Sequence, residues 1–334
     1  MTDKEWKSLA IKTAVFSVIA IVVCIVRAAT KPIIIEGTAE ARESARGQID
    51  DEPLDSMYDA LVLDMDELES PADGADLIVP LPAGISSEDV RTENHYLSHQ
   101  LWIVMRSSRA DYSGDDFRVS AVPEKVREGV YLRVERSECS LRFGLTGLYE
   151  PVTSLEDGAL RIKLVSPGEV YEHVLLIDPG ETDGESDIPL MVANEAARRL
   201  SAREGIMVYV TRAGEHRDED LSITMLRETG ADLCISLSVD KSLNSAISAQ
   251  YNETWYLRNY SNARFAADLL EGVAGATGYV MISSDGVGRS EPFLAASTVP
   301  TAALILPDTD GTDASVAAAG IEAAVLKARG LDGK

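Results

Sequence analysis

The sequence contains few of the residues that hold metals or form disulfides. Its 334 residues include only four histidines and three cysteines, Cys24, Cys139 and Cys234. Cys24 lies in an N-terminal apolar run and the other two lie in strand-like segments, so their spacing indicates neither a zinc knot nor a disulfide framework. We therefore expect all three to be small buried apolar side chains.

Basic residues are also scarce. Lysine and arginine total 31 against 55 aspartates and glutamates, which gives a net charge of −24. Such a surface repels phosphate backbones, so we expect no nucleic-acid partner. The sequence also lacks a Gly-x-Ser-x-Gly nucleophile elbow, a dinucleotide fingerprint and a phosphate loop. With 45% hydrophobic and 26% charged residues, the chain is typical of a globular protein long enough for two domains.

An uncharged apolar run is present near the N-terminus. Residues 13–26 carry no charge, lysines precede them, and Arg27 and Lys31 follow them. This pattern predicts a transmembrane anchor over residues 9–30, with residues 1–8 as a cytoplasmic tail. A signal peptide cleaved after Ala28 and a buried helix of a soluble protein are the alternatives. The first two interpretations both export the rest of the chain, either as a single-pass cell-membrane protein or as a secreted one.

The pattern of apolar and polar residues changes twice after the predicted anchor. Residues 31–57 have no sustained apolar period and predict an acidic linker. From 58 to 167, short alternating or apolar runs recur between turn signals, at 61–63, 77–79, 101–105, 130–134, 141–143 and 160–164. This spacing predicts a small antiparallel β-sandwich that serves as a β-rich accessory domain.

Apolar strands alternate with amphipathic helices from 168 to 330. The predicted strands are 173–177, 206–210, 232–237 and 302–306, and the predicted helices are about 189–203, 221–229, 262–276 and 314–328. The alternation predicts an α/β domain with a mostly parallel sheet and helices on both faces. Ligands of such sheets bind beyond the carboxyl ends of the strands, so the residues that follow each strand are the site candidates.

Those strand ends carry an ordered series of motifs. They are the run 175–180 with its Asp178-Pro179-Gly180 turn, then Val210-Thr211-Arg212, then Arg227 ahead of the run 230–237. In this order and spacing the series resembles the zinc-dependent N-acetylmuramoyl-L-alanine amidases, cell-wall amidases of type 3, over about residues 170–330. The β-rich region resembles, less closely, the sandwich domains that localise these amidases on the envelope.

The resemblance implies a zinc site with defined ligands. Members of the family hold zinc through a histidine after the Asp-Pro-Gly turn, a glutamate at the next helix and a histidine after the third strand. A further glutamate after the last strand acts on the metal-bound water. Three protein ligands leave one position open on the ion, which lowers the pKa of bound water to ~7.

This sequence departs from that pattern at three positions. Glu181 stands at the first histidine position and Ser238 at the second. The position of the catalytic glutamate falls on Ile305 or Leu306, both aliphatic. Two nitrogen ligands and the general base are therefore expected to be missing, and we predict no catalytic residue.

The carboxylates that remain are candidates for a weak cation site. Glu185 matches the helix-entry glutamate, although Asp183 or Asp187 could be taken for it. Together with Glu181, and with Asp240 after the third strand, Glu185 would favour a hard divalent cation such as Ca²⁺, Mg²⁺ or Mn²⁺ over zinc. The alternative is that these are solvated loop carboxylates and that no cofactor is bound.

One histidine could replace a missing ligand. His216 follows Val210-Thr211-Arg212 on a loop at the carboxyl end of the sheet, whereas His173 opens its strand at the opposite end. His95 and His99 lie in the β-rich region at a helix-like i, i+4 spacing. Because the surrounding sequence has a strand-like pattern, we do not expect them to form a metal-binding pair. Only His216 is therefore expected to approach the site, and an exposed loop residue is the alternative.

These observations predict an exported pseudo-amidase. We expect it to be anchored in the cell membrane and to bind peptidoglycan or to regulate a cell-envelope protein without hydrolysing the muramoyl-L-alanine amide bond. An active amidase with Glu181, Glu185 and His216 as atypical ligands is the alternative. A third interpretation is an envelope scaffold whose partner docks on the β-rich domain.

Overall fold

A computed structural model describes most of the chain beyond the predicted linker. The described residues are 60–63, 65–67, 74–107, 117–135, 138–182, 187–252, 256–257, 260–287, 292–309 and 311–331. The predicted anchor over 9–30, the linker over 31–57 and Cys24 lie outside them. No helix within these ranges is long and apolar enough to cross a bilayer.

Two five-stranded sheets form the amino-terminal domain. The first has the order β1 (Ala60–Val62), β7 (Val126–Glu135), β8 (Glu138–Leu145), β5 (Gln100–Arg106), β4 (Val90–His95). The second has the order β2 (Met65–Glu67), β6 (Val119–Ala121), β3 (Leu77–Pro80), β10 (Ala159–Val165), β9 (Glu150–Glu156). Neighbouring strands are antiparallel except β2 and β6, a parallel pair that the sequence did not predict.

The two sheets share one apolar core, as expected for a sandwich. In strand β5, Leu101, Ile103 and Met105 alternate with outward-facing residues and are fully buried, because successive side chains of a strand point to opposite faces of its sheet. They pack with Phe143 of the same sheet and Ile162 of the opposite sheet. The alternation that predicted the domain therefore also determines which side chains fill its core.

A short helix, α1 (Pro167–Val170), connects the sandwich to the second domain. Ser166 begins it with a capping box, because its backbone N–H and its hydroxyl both donate to the Glu169 carboxylate, at 2.9 and 2.7 Å. These bonds hold the pKa of Glu169 below its usual value. The chain enters the next strand through this turn.

The carboxyl-terminal domain is built on a six-stranded sheet. Its order is β12 (Ile206–Val210), β11 (His173–Pro179), β13 (Leu233–Asp240), β18 (Thr301–Pro307), β14 (Ala246–Asn252), β17 (Val280–Val287). The first four strands are parallel, β14 is antiparallel to β18, and β17 is parallel to β14. The mostly parallel sheet is as predicted, whereas β14 and β17 were missed, as was the small hairpin of β15 (Tyr256–Leu257) and β16 (Tyr260–Ser261).

Helices lie on both faces of this sheet. They are α2 (Ile188–Ser201), α3 (Glu219–Glu228), α4 (Asn262–Thr277), α5 (Pro292–Ala296) and α6 (Ala314–Ala328). Helices α2, α4 and α6 pack on one face, which we call the helix face. On the other face, α3 and α5 contribute Met225 and Phe293, and the amino-terminal domain contributes Leu148, all packed around Tyr209. We call this second face the docking face, because the amino-terminal domain completes its cover.

Candidate functional site

The carboxyl ends of the parallel strands bring the predicted positions to one edge. Pro179 of β11 is in register with Leu237 of β13, and Ser238 of β13 is in register with Ile305 of β18. The Gly180 N–H donates to the Leu237 carbonyl at 2.7 Å, and a β-carbon at Gly180 would lie only 3.0 Å from that oxygen. Glycine therefore allows the turn before Glu181 to lie directly against β13.

Asp178 is a fully buried carboxylate with several donors. The hydroxyls of Thr211 and Ser222 donate to its Oδ1 at 2.6 and 2.7 Å. The Arg217 guanidinium forms an ion pair with it through Nη2 and donates from Nε at 3.3 Å. The arginine compensates the buried negative charge, and these bonds join β11 to the loop after β12 and to α3.

Arg212 joins three loops at the same edge. Its buried guanidinium donates to both carboxylate oxygens of Asp187, at 2.6 and 2.8 Å. It also donates to the carbonyls of Pro179, Gly180 and Gly214, at 2.9, 2.6 and 2.6 Å. Asp187 additionally accepts from the Leu190 N–H at 3.2 Å and so caps α2. Asp187, one of the alternative helix-entry carboxylates, is therefore occupied by an arginine and a helix end.

Glu181 and His216 lie near each other, as the alternative interpretation required. His216 Nδ1 is 3.8 Å from Glu181 Oε1, but the histidine side chain is 94% exposed. The same carboxylate oxygen accepts a hydrogen bond from the Arg217 backbone N–H. Glu185 and Asp183 lie outside the described residues. The structure thus brings together two of the three atypical ligands, on an open loop.

The remaining predicted positions have ordinary structural surroundings. Ser238 and Ile305 are half-buried at the strand edge, whereas Leu306 is fully buried in the helix-face core. Asp240 is exposed and accepts from the Ser242 N–H at 2.8 Å, a hydrogen bond that lowers the pKa of its carboxyl. Asp240 therefore caps a turn at the end of β13.

The described side chains at these strand ends do not fit a zinc ion. Arg212 and Arg217 place two positive charges there, and the carboxylates that face them, the buried Asp178 and the half-buried Asp187, are bonded to them. The hydroxyl of Ser238 is a poor zinc ligand. Within the part of the chain that the structure describes, no three histidine, cysteine, aspartate or glutamate side chains converge as a metal site would require.

The other histidines lie away from this edge. His95 stacks on Trp102, with ring centroids 3.9 Å apart, and its hydrogen bond to Glu93 lowers the pKa of that carboxyl. His99 Nε2 is 2.8 Å from the Glu228 carboxylate. His173, at the amino end of its strand, accepts from an arginine guanidinium at 2.9 Å. His95 and His99 therefore have separate partners and do not form a pair.

The buried cysteines behave as predicted. Cys139 and Cys234 are free and fully buried, and burial raises the pKa of each thiol to about 12. Both are therefore small apolar side chains rather than ligands or nucleophiles.

Sequence reasoning missed Arg217, which bonds to Asp178 through its side chain and to Glu181 through its backbone. The available signal was weak. Arg217 follows Arg212 by five residues on a loop that also carries Glu215 and Asp218. Charged residues in an acidic loop are ordinarily solvated, so this spacing does not identify Arg217 as the partner of a buried carboxylate.

Comparisons with known proteins return distant structural matches only. No protein-family model and no curated protein matches the chain. Among solved structures, the catalytic domain of CwlV, an N-acetylmuramoyl-L-alanine amidase from Bacillus (Paenibacillus) polymyxa, is 16% identical with a TM-score of 0.41, covering 48% of this chain and 99% of that one. An N-acetylmuramoyl-L-alanine amidase from Clostridium difficile 630 is 18% identical with a TM-score of 0.39, covering 48% and 98%. The CwlD amidase from Clostridioides difficile, solved in complex with the GerS lipoprotein, is 12% identical with a TM-score of 0.37, covering 48% and 100%. Likeness at this level does not establish an activity for the chain.

Proposed function

We propose that this chain is a non-catalytic, amidase-like protein of the cell envelope that binds peptidoglycan or regulates an envelope partner. The proposal joins the ordered strand-end motifs, which resemble those of the zinc amidases, to the chemistry of the residues at those ends. The observation that carries it is the chemistry of the groups described at those ends. Glu181 and Ser238, rather than histidines, follow the two strands, and Arg217 is bonded to both Asp178 and Glu181.

The missing groups explain why hydrolysis is not expected. A zinc hydrolase needs ligands that hold the ion and a carboxylate that takes the proton from its bound water. By the resemblance, Ser238 stands at the second histidine position and Ile305 or Leu306 at the general-base position. The Glu181 carboxylate accepts the Arg217 N–H. A loop fixed by these bonds can still present a surface to a glycan strand or a protein, because binding does not require an activated water.

We also propose that the chain is exported and held in the cell membrane by residues 9–30. The support is the sequence pattern of an uncharged run between basic flanks. Protease treatment of intact cells tests it: the domains beyond residue 60 should be degraded from outside while the chain remains in the membrane fraction. Protection of these domains in intact cells would contradict export.

Zinc titration of the purified full chain tests the loss of the metal site. We expect no stoichiometric binding by calorimetry and no release of peptide from muropeptides. Peptidoglycan sacculi incubated with the same preparation should retain it in the pellet. A chain that stays in the supernatant, and that crosslinks to no envelope protein in intact cells, would contradict the proposal.

The active-amidase alternative is favoured by one observation, the 3.8 Å approach of His216 to Glu181. It predicts tight zinc binding and chelator-sensitive peptide release that Glu185→Ala abolishes. His216→Ala should then weaken zinc binding strongly, whereas the matched control Glu204→Ala, an exposed carboxylate before β12, should not. Zinc binding that His216→Ala removes would therefore replace our proposal with this one.

A further inference from the structure

Strand β12 is the edge strand through which the two domains meet. Tyr209 is fully buried on the docking face, and its hydroxyl donates to Glu150 of β9 at 2.5 Å. The Glu150 carboxylate also accepts from Asn94 of β4 at 3.2 Å and from the Tyr171 hydroxyl at 3.4 Å. A buried carboxylate with three donors, one of which comes from β12, fixes the orientation of the two domains.

The next residue of β12 makes a second contact with the amino-terminal domain. The Tyr96 hydroxyl donates to the Val210 carbonyl at 3.2 Å and accepts from the Val210 N–H at 3.3 Å. The outward N–H and carbonyl of an edge strand have no neighbouring strand to bond to. At Val210 the Tyr96 hydroxyl supplies both of these hydrogen bonds. The rings of Tyr96 and Tyr209 also meet edge to face, with centroids 5.1 Å apart.

The following two residues belong to the candidate site. Thr211 donates to the buried Asp178, and Arg212 binds Asp187 together with the loop carbonyls. Four consecutive residues, 209–212, therefore contact first the amino-terminal domain and then the site. A movement of the strand end changes both sets of contacts, because the four residues are consecutive in the chain.

We propose that the docked sandwich holds the site loop in place through the end of β12, so that loosening the docking contact loosens residues 211–217. The loop carries His216 and Arg217, and its Arg217 N–H is bonded to Glu181. The docking contact thus acts as a restraint on the site, and a ligand that displaced Tyr96 would free the loop. This coupling holds whether or not a metal binds.

Amide hydrogen exchange of the full chain, resolved to single residues, tests the coupling. Tyr96→Phe removes the hydroxyl and keeps the ring, so the Val210 amide loses its direct acceptor. The Thr211 and Arg217 amides do not bond to Tyr96, because they donate to Ile177 and Glu181. Coupling predicts that these two amides also exchange about three- to tenfold faster, the factor expected for the loss of one net hydrogen bond. Amides of the helix-face core should keep their rates.

The matched control is Tyr279→Phe, whose hydroxyl lies 3.4 Å from the Thr312 hydroxyl near the opposite edge of the sheet. This variant should leave Thr211 and Arg217 unchanged. Faster exchange at Val210 alone, or an equal rise across the whole chain, would overturn the coupling. If Tyr96→Phe does not fold, Tyr209→Phe decides the question, because it removes the neighbouring docking bond of the same strand, the one to Glu150, and keeps the ring. Unaltered exchange at Thr211 and Arg217 in that variant refutes the proposal.

Discussion

The two faces of the six-stranded sheet are held by different kinds of interaction. The helix face is covered by α2, α4 and α6 through apolar contacts around Phe265 and Leu304. The docking face is covered partly by another domain, and its centre contains the Tyr209 hydroxyl bonded to the Glu150 carboxylate. Apolar packing is non-directional and accounts for most of the stability, whereas buried polar bonds require one geometry. The comparison indicates that the helix face stabilises the domain and the docking face orients it.

Removing an aromatic ring from the helix face should have the largest effect. Phe265 of α4 is fully buried, so Phe265→Ala should lower the free energy of unfolding by about 3–5 kcal/mol through lost burial and a residual cavity. Chemical denaturation measures this change. The control Met191→Ala, at a half-exposed position of α2, should stay within about 0.5 kcal/mol. A smaller loss for Phe265→Ala would mean that this face does not dominate stability.

The close approach of α4 and α6 gives the next largest effect. A β-carbon at Gly320 would lie 2.5 Å from the Val273 Cα and 2.7 Å from the Gly272 carbonyl. Because backbone atoms cannot move aside alone, Gly320→Ala should separate the helices and cost about 3 kcal/mol in thermal or chemical unfolding. The matched control is Gly275→Ala on α4, where nothing lies within 4 Å, and it should stabilise by about 0.5 kcal/mol. Equal effects of the two substitutions would contradict close helix contact.

On the docking face, removal of the Tyr209 hydroxyl alone should lower the free energy of unfolding measurably. Tyr209→Phe leaves the buried Glu150 carboxylate without its nearest donor, which should cost about 2 kcal/mol. Burial and the neighbouring carboxylate raise the pKa of Tyr209, so its hydroxyl remains a donor at any ordinary pH. Tyr279→Phe, whose longer bond is only partly buried, should cost under about 1 kcal/mol in the same denaturation experiment. If Tyr209→Phe lowered the free energy of unfolding no more than Tyr279→Phe does, the Tyr209–Glu150 hydrogen bond would be dispensable for stability.

Sequence reasoning predicted the helix face better than the docking face. Strands β11, β12, β13 and β18 are short continuous apolar runs, and the helices between them are amphipathic, so their order and the common site edge followed from pattern alone. Strands β14 and β17 were missed because Ser248 and Gln250 in β14, and Ser283 and Ser284 in β17, interrupt their apolar residues.

The polar contacts could not be predicted from local pattern. Tyr209 is one residue of an apolar strand, and its partner Glu150 lies 59 residues earlier in another domain. The same holds for Arg217, because loop geometry, not periodicity, brings it to Asp178. Long-range polar pairs depend on how the domains and loops pack, whereas periodicity reports only which face of an element is buried.

The smallest expected effect is a dependence of stability on pH that arises from Glu150, which bonds to Tyr209 at the centre of the docking face. Burial raises the pKa of Glu150 above its ordinary value of 4.5, and hydrogen bonds from Tyr209, Tyr171 and Asn94 oppose that rise only in part. A carboxyl whose pKa is raised by folding contributes stability below its unfolded pKa and loses it as pH rises through the folded value. The wild-type chain should therefore lose some stability from about pH 4.5 upward, whereas Glu150→Gln removes the titrating group.

The difference in unfolding free energy between Glu150→Gln and wild type isolates this group. The contributions of other residues near the docking face, including the His99–Glu228 pair, are present in both proteins and cancel. The difference should shift in favour of the glutamine variant as pH rises above 4.5 and become constant once Glu150 is ionised. A difference that does not vary with pH would show that Glu150 titrates alike in the folded and unfolded chains. The docking face would then orient the domains without responding to pH, and only the hydroxyl contacts of Tyr96 and Tyr209 would distinguish it from the helix face.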